Sequence, residues 1–439
     1  MSNASKGNEL AAHYAVLLGL EEPWRVSAVD LQVKERRVDI DLGLREGARL
    51  CCPECGQEAP GYDLGAQREW RHLDTMRFET RLRARVPRVE CAMHGVKTPE
   101  VPWAGKNARL TWLLQEFAIA LLEVSESLSA VGELLGLDWH SVREIEKQAV
   151  ARGLRRREAP AADAPVLQAV VHLGLDEKSF RRGQDYVSIA SDLTNRRVLE
   201  VSEARTRAAG LEVLERALSK KQRALVEAIA LDLAEGYVQA AARMLPKAAV
   251  VHDRFHLERY LNRAVDQVRR EEQKRAWREE GDESLKGTRW LWLRKARTLD
   301  ALLDAQGQRA FARLRRTAHV VARAWQRKEI FGRFFSLPNR AQGERLLERW
   351  CRSAERSRLR PLMAAARSFR RHKAGILAYF THRITTAVCE GFNAVIETIK
   401  KNARGFRRFE HLRDRILFRL GKLDLRTPAA FHLAHLQPS

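Results

Sequence analysis

Two apolar runs that each end in an aspartate constrain this chain more than any other feature. The first runs from Val166 to Leu175 and closes as Val170-Val-His-Leu-Gly-Leu-Asp176; the second is Val226-Glu-Ala-Ile-Ala-Leu-Asp232. A nearly unbroken apolar run of this length reads as a strand buried on both faces, as in a sheet covered by helices. An acid at the tip of such a strand is costly to desolvate and needs a compensating partner. Two tips on neighbouring strands bring two carboxylates together. Their repulsion is relieved by hard divalent cations, which oxygen-only ligands select. Two ions about 3.5–4 Å apart are the usual apparatus for in-line attack on a phosphodiester. A lone Asp at a strand end is more often a turn or cap residue, so the pairing matters.

The surrounding pattern supplies a sheet for these tips. Tyr186–Leu193 and Arg197–Val201 read as a hairpin turning at Thr194-Asn-Arg196. A helix over Ala208–Leu218, the second apolar run, a helix over Tyr237–Met244 and a strand over Ala248–Val251 follow. The order β-β-β-α-β-α-β predicts a mixed sheet with helices packed on it. Beyond Phe255 strands cease, and Leu257 to about Tyr379 is helical and Arg-rich. A last helical segment starts near Val388, runs past Arg419, and carries Glu390 as the third acid. Asp253, in Val-Val-His-Asp253-Arg-Phe-His256, is a rival second ligand or a structural or substrate-orienting group paired with His256; element order favours Asp232.

The N-terminal part, to about Gly105, reads as short strands and turns, among them Val26–Val33, Arg37–Leu42 and Phe78–Val86. Within it lie Cys52-Pro-Glu-Cys55-Gly and, after 35 intervening residues, Cys91-Ala-Met-His94-Gly. Two short pairs on tight turns complete the tetrahedron Zn²⁺ prefers, and four protein ligands leave no position for water, so the site reads as structural. Cys51 is a spare thiol. Arg81, Arg83, Arg85 and Arg88 are read as either a nucleic-acid face or a solvated surface.

Ser127 to Gly136 then reads as a short helix, and Asp138 caps a second over Trp139–Ala149. Leu128, Val131, Leu134, Leu135, Leu137, Val142 and Ile145 form the expected core. His140, Ser141, Arg143, Glu144 and Lys147 are left outward, where a recognition helix presents side chains to the major groove; an ordinary helical hairpin fits the same pattern. The balance of 79 Lys+Arg against 56 Asp+Glu, a net +23, favours polyanionic partners. With 45% hydrophobic residues and six Cys, the chain is neither a disordered polybasic tail nor a disulfide scaffold. The N-terminus lacks a signal-peptide layout, and a cytoplasmic, nucleoid-associated protein is expected.

Taken in order, Cys52/Cys55 with Cys91/His94, the helix-turn-helix, Gly174-Leu-Asp176-Glu, Asp232-Leu-Ala-Glu-Gly-Tyr237, Asp253-Arg-Phe-His256, Glu390-Gly-Phe-Asn393 and Ile399-Lys-Lys-Asn-Ala-Arg-Gly-Phe-Arg-Arg-Phe-Glu410 resemble the ISL-three family of bacterial insertion-sequence transposases. His94 departs from the fourth Cys of many relatives, and Cys₃His still suits zinc. The resemblance implies a multidomain α+β chain: a zinc-binding β module (1–105), a helix-turn-helix (106–158), an RNase H-like catalytic domain (159–256, resuming over 386–439) and a helical insertion (257–385). It implies Asp176, Asp232 and Glu390 as a catalytic triad holding two Mg²⁺ or Mn²⁺ ions. It also implies cleavage and strand transfer at inverted-repeat DNA ends and a homodimer that holds two ends. A catalytically silent DNA-binding regulator is the alternative, and a hydrolytic nuclease of the same fold a third reading. Arg289, Trp290 and Trp292 are expected to stack on unpaired bases or else to pack a core. Lys400, Lys401, Arg404, Arg407 and Arg408 are placed to neutralise phosphates.

Overall fold

The computed structural model describes residues 3–158, 169–181 and 185–428 and divides the chain into two compact units, residues 1–162 with 423–439, and residues 163–422. Ala159–Pro165, which by its Ala, Pro and Asp composition reads as a linker, lies outside the described residues. The expected block 386–439 is thus divided at Lys422. From Leu423 the chain packs on the first unit, where Thr427 N donates to Glu116 and Arg156 binds Asp424 at 3.1 Å.

The first unit opens with a helix, α1 (Asn3–Leu17), where only strands and turns were expected. Strands β1 (Trp24–Gln32), β2 (Arg37–Leu44), β5 (Gly61–Thr75), β6 (Phe78–Cys91) and β7 (Gly95–Lys97) form one sheet in the order β1-β2-β6-β5, with β7 on β6. Of these pairings β2–β6 alone is parallel. Two short strands, β3 (Leu50–Cys51) and β4 (Glu58–Ala59), pair beside it. The long strand β5 escaped the sequence reading because its polar residues break the alternation, and most of its first half is exposed. Trp24, Trp70 and Trp103 meet edge to face in the core, at 4.7 and 5.4 Å.

The arginines of β6 are matched by acids on its neighbours and, for Arg81, also by Glu79 on β6 itself. Arg81 binds Glu69 and Glu79, Arg83 binds the buried Asp39 and Glu69, and Arg88 binds Asp63. Cross-strand ion pairs therefore account for these three of the four cations read as a nucleic-acid face.

Helices α2 (Trp112–Val124), α3 (Leu128–Leu135) and α4 (Trp139–Glu158) follow. Ser127 caps α3, and Gly136 ends it in the left-handed region at φ 64°.

The second unit holds the strands β8 (His172–Ser179), β9 (Tyr186–Asp192), β10 (Arg197–Glu203), β11 (Ala228–Leu231) and β12 (Ala249–His252). Their order is β10-β9-β8-β11-β12, antiparallel on the hairpin side and parallel at β8-β11-β12. This is the mixed sheet that the element order predicted, and it fits the RNase H-like domain that the resemblance implies. Between the strands run α5 (Arg207–Ala217), α6 (Lys220–Arg223) and α7 (Glu235–Met244). Leu173, Leu175, Val213, Leu214, Ile229 and Tyr237 share one core between sheet and helices.

The long helix α8 (Arg254–Glu280) leaves the last strand. It is followed by α9 (Arg289–Leu293), α10 (Ala296–Leu302), α11 (Ala305–Thr317), α12 (His319–Gly332), α13 (Arg340–Glu355), α14 (Arg360–Arg371) and α15 (Lys373–His382). These helices bury an aromatic core including Trp292, Phe331, Phe334, Trp350 and Phe369. The expected single C-terminal helical segment is two helices, α16 (Ala387–Asn402) and α17 (Phe409–Leu420), broken where Arg404 and Gly405 take positive φ.

Candidate functional site

The parallel register sets the acids level with one another. Ala228 pairs with His172 and Ala230 with Gly174, so Asp232 and Asp176 stand two residues past the last paired couple on adjacent strands. Leu231 pairs with His252 across β11–β12, which brings Asp232 and Asp253 level too. Neighbouring strands lie about 4.8 Å apart. The sequence pattern puts Asp176 at a strand tip, but β8 runs on to Ser179 and Asp176 pairs with Ile189 inside it; Asp232 and Asp253 each follow the last residue of their strands, and the three acids line one edge of the sheet.

Their environments separate them. Asp253 is 2% exposed and is the N-cap of α8, accepting from Phe255 N at 2.7 Å and His256 N at 3.2 Å. Its other oxygen accepts from Thr386 N at 2.8 Å, which fastens the chain where it returns from the insertion. Burial would raise its pKa, but bonding to His256 and the Thr386 amide outweighs this and holds it below the usual range. Asp232 uses one oxygen to hold the turn into α7, accepting from Ala234 N at 2.7 Å, and stays partly exposed.

Glu390 sits in the first turn of α16. That helix packs closely on β8, because a Cβ at Gly174 would lie 2.7 Å from Cys389 Sγ. One turn on from Glu390, Asn393 donates to Asp176 Oδ2 at 2.8 Å. Burial pushes the Asp176 carboxyl up, against bonding from Glu177 N, the charge on His256 and the Asn393 amide; the Asp232 charge pushes it further up. Glu390 is raised by desolvation and then by the charges of Asp253 and Asp176. Glu177 is raised by desolvation and by Asp232. Among the described residues no ion pair neutralises Asp176, Asp232 or Glu390, and the three carboxylates are not drawn together within 4.8 Å as the cysteine cluster is, so they stand as three uncompensated acids on one side of the sheet. The sequence reading missed the roles of Asn393 and of Arg259, whose positive charge acts on Glu177 and Glu390. The i to i+3 spacings Glu390–Asn393 and His256–Arg259 were the available signals.

The cysteine cluster is assembled as expected: ligand atoms of Cys52, Cys55, Cys91 and His94 all lie within 4.8 Å of one another. Cys55 and Cys91 sulfurs are 3.7 Å apart, and His94 Nδ1 is 3.7 Å from Cys52 Sγ and 3.5 Å from Cys91 Sγ. A tetrahedron with Zn–S near 2.3 Å has edges of about 3.8 Å, so the set fits zinc. Gly56 and Gly95 close the two turns at φ 71° and 67°. Amides of Met93 and His94 aimed at Cys91 draw its thiol down to about 6, toward the thiolate that zinc binds. His94 Nε2 faces Glu54 at 3.8 Å, an outer-shell partner for a metal-bound imidazole. Cys51 is exposed and outside the cluster.

Of the expected DNA contacts, His140 and Lys147 are exposed on α4, and Ser141 is half-buried with its hydroxyl and amide on the capping Asp138. Arg143 is not outward: it is 7% exposed and pairs with the buried Glu146 at 3.2 Å. Leu134, expected in the core, is 67% exposed. Around the helix Arg143 lies at the rim between the exposed Lys147 and the buried Glu146, and its pairing with Glu146 draws it inward. Trp292 is fully buried against Phe311 and is core, not a base-stacking surface; its neighbour Trp290 is 62% exposed under Arg289. Lys400 is tied to Ser179 O at 2.8 Å, whereas Lys401, Arg404, Arg407 and Arg408 are exposed.

Residues 173–416 match a family model described as a transposase; residues 49–94 match the zinc-finger of transposase IS204/IS1001/IS1096/IS1165; residues 99–150 match the helix-turn-helix domain of transposase family ISL3. The chain is 26% identical over 426 residues to the transposase for insertion sequence element IS1557 of Mycobacterium tuberculosis, covering 90% of this chain and 92% of that protein. It is also 26% identical over 369 residues to the transposase for insertion sequence element IS1001 of Bordetella parapertussis, covering 82% and 86%. These relatives favour the transposase over the silent regulator. With the catalytic-domain model matching more than half its length, beside a structural zinc ribbon and a helix-turn-helix, the chain belongs to the ISL3 (ISL-three) family of transposases.

Proposed function

We propose that this transposase cuts and joins DNA at the inverted-repeat ends of its insertion sequence through two divalent cations, Mg²⁺ or Mn²⁺, held by Asp176, Asp232 and Glu390. The observation that carries the reading is the register of β8 on β11, which sets Asp176 level with Asp232, together with the helix that returns Glu390 within electrostatic reach of Asp176. Ions held by these acids would supply the Lewis acidity for activating water or a DNA 3′-OH and for stabilising the leaving oxygen.

The chain's own groups do the rest. Asn393 fixes one Asp176 oxygen and so orients the carboxylate. Asp253 positions the base of α16 through Thr386 rather than binding a cation. His256 Nδ1 lies 3.4 Å from Asp253, which pulls its pKa up against the burial that lowers it. Lys401, Arg404, Arg407 and Arg408 offer exposed cations for phosphates just beyond the acidic helix. On the first unit, His140, Ser141 and Lys147 face the DNA ends, and two copies of the chain hold a pair of ends.

The test is a cleavage and joining assay on double-stranded DNA carrying the inverted repeats. Asp176→Asn, Asp232→Asn and Glu390→Gln should each abolish both steps with Mg²⁺ and Mn²⁺, while end binding persists. Activity surviving in any of the three would reject that residue as a ligand.

A further inference from the structure

The sheet has a second cluster of metal-ligating side chains at its opposite edge. His172 opens β8, and Glu227 immediately precedes β11, beside the Ala228–His172 pair. His382 is the last residue of α15. One ligand atom from each lies within 4.8 Å of the others, and the two imidazoles meet edge to face at 6.3 Å.

We propose that His172, Glu227 and His382 form a second transition-metal site, of zinc type, distinct from the cysteine cluster. Two imidazoles and one carboxylate are a ligand set zinc accepts, with a fourth tetrahedral position left for water. Hard ions such as Mg²⁺ prefer all-oxygen sites, so this pair of imidazoles selects a different metal from the acids at the other edge. The Thr194 hydroxyl lies 3.4 Å from His172 Nδ1, the kind of outer-shell oxygen that orients a metal-bound imidazole. Glu227 is exposed and the two histidines half-buried, so an ion can enter from solvent.

The position gives the ion a job. At 3.3 Å per residue, His172 and Asp176 are about 13 Å apart along β8, too far to share an ion. His382 ends the insertion, and Arg383 follows in the left-handed region at φ 54° before the chain reaches Thr386 and α16. An ion here ties the exit of the helical insertion to the starts of two central strands. It is a positioning site for the segment that carries Glu390, independent of whether the acids bind cations.

The experiment is zinc content per chain, by plasma emission spectroscopy, on the full protein purified without chelator. A second equivalent of zinc beyond that of the cysteine cluster is expected, lost in His172→Ala, His382→Ala and Glu227→Gln alike, and kept in Asp176→Asn. Glu227 is exposed, so Glu227→Gln retains the fold, which circular dichroism checks. One equivalent in the unaltered protein overturns the proposal. So does a second equivalent that survives all three substitutions, or that disappears with Asp176→Asn because it belongs to the other edge.

Discussion

The side-chain amide of Asn393 reaches Asp176 at 2.8 Å, joining a residue in the chain's last third to the first strand of the second unit. It sits one helical turn beyond Glu390, so the contact sets both the rotation of α16 and the direction of the Asp176 carboxylate. Removing it in Asn393→Ala leaves a largely buried carboxylate short of a donor. The expected cost is about 1–3 kcal/mol, read as a lower denaturation midpoint, with slower strand transfer. Unchanged stability and rate together would show the bond is incidental.

Gly174 is the close-approach point between β8 and α16. A Cβ there would fall 2.7 Å from Cys389 Sγ and 2.8 Å from Leu193 Cδ2. Gly174→Ala should therefore lower stability by about 1–3 kcal/mol through overpacking, and Gly174→Val by more. Thermal melts of the two variants check the order.

Asp232 and Asp253 stand level on adjacent strands but should respond in opposite ways to loss of charge. Asp253→Asn keeps an oxygen for the helix cap but turns an NH2 toward the Thr386 N–H, so a fall in melting temperature is expected, with a cost of about 1–3 kcal/mol for the buried amide left without an acceptor. Asp232→Asn removes one of several clustered negative charges, so the melting temperature should hold or rise while strand transfer disappears. The reverse pattern would exchange their roles.

Asp176 and Glu390 are both raised above ordinary carboxylates, first by desolvation. A group raised on folding contributes stability that is present below its unfolded value and is lost as pH rises through its folded value. Without divalent cations, stability carried by these two groups should decline as pH climbs above about 4. Mg²⁺ favours the ionised forms and should cancel the decline. Melting temperature against pH, with and without MgCl₂, gives the comparison; the same curve in Asp176→Asn should lose most of its Mg²⁺ response.

Zinc removal should act locally. Cys52→Ser or Cys91→Ser takes a ligand from a ribbon whose small core holds only Cys52, Ala59, Val89 and Cys91 as fully buried members. A core of that size does not stand without its metal. Hydrogen exchange should show loss of protection around residues 49–97 and loss of end binding, with the β8–β12 sheet protected as before.

The sequence by itself determined the parts. Apolar runs marked the central strands, although β8 extends past its run and holds Asp176 inside it, the paired Cys-x-x-Cys and Cys-x-x-His turns marked the metal ribbon, and Asp232 followed from its strand end, because each of these is a local pattern of period or spacing. Only the tertiary structure decided what lay between elements. The β8–β11–β12 register put three acids level, and burial then separated Asp253, a cap, from Asp232. Packing of α16 on Gly174 brought Asn393 to Asp176. Burial turned Arg143 and Trp292 inward although their residue types suited DNA. Periodicity reports which residues share a face of one element; which neighbour covers that face is a long-range contact, and no local spacing encodes it.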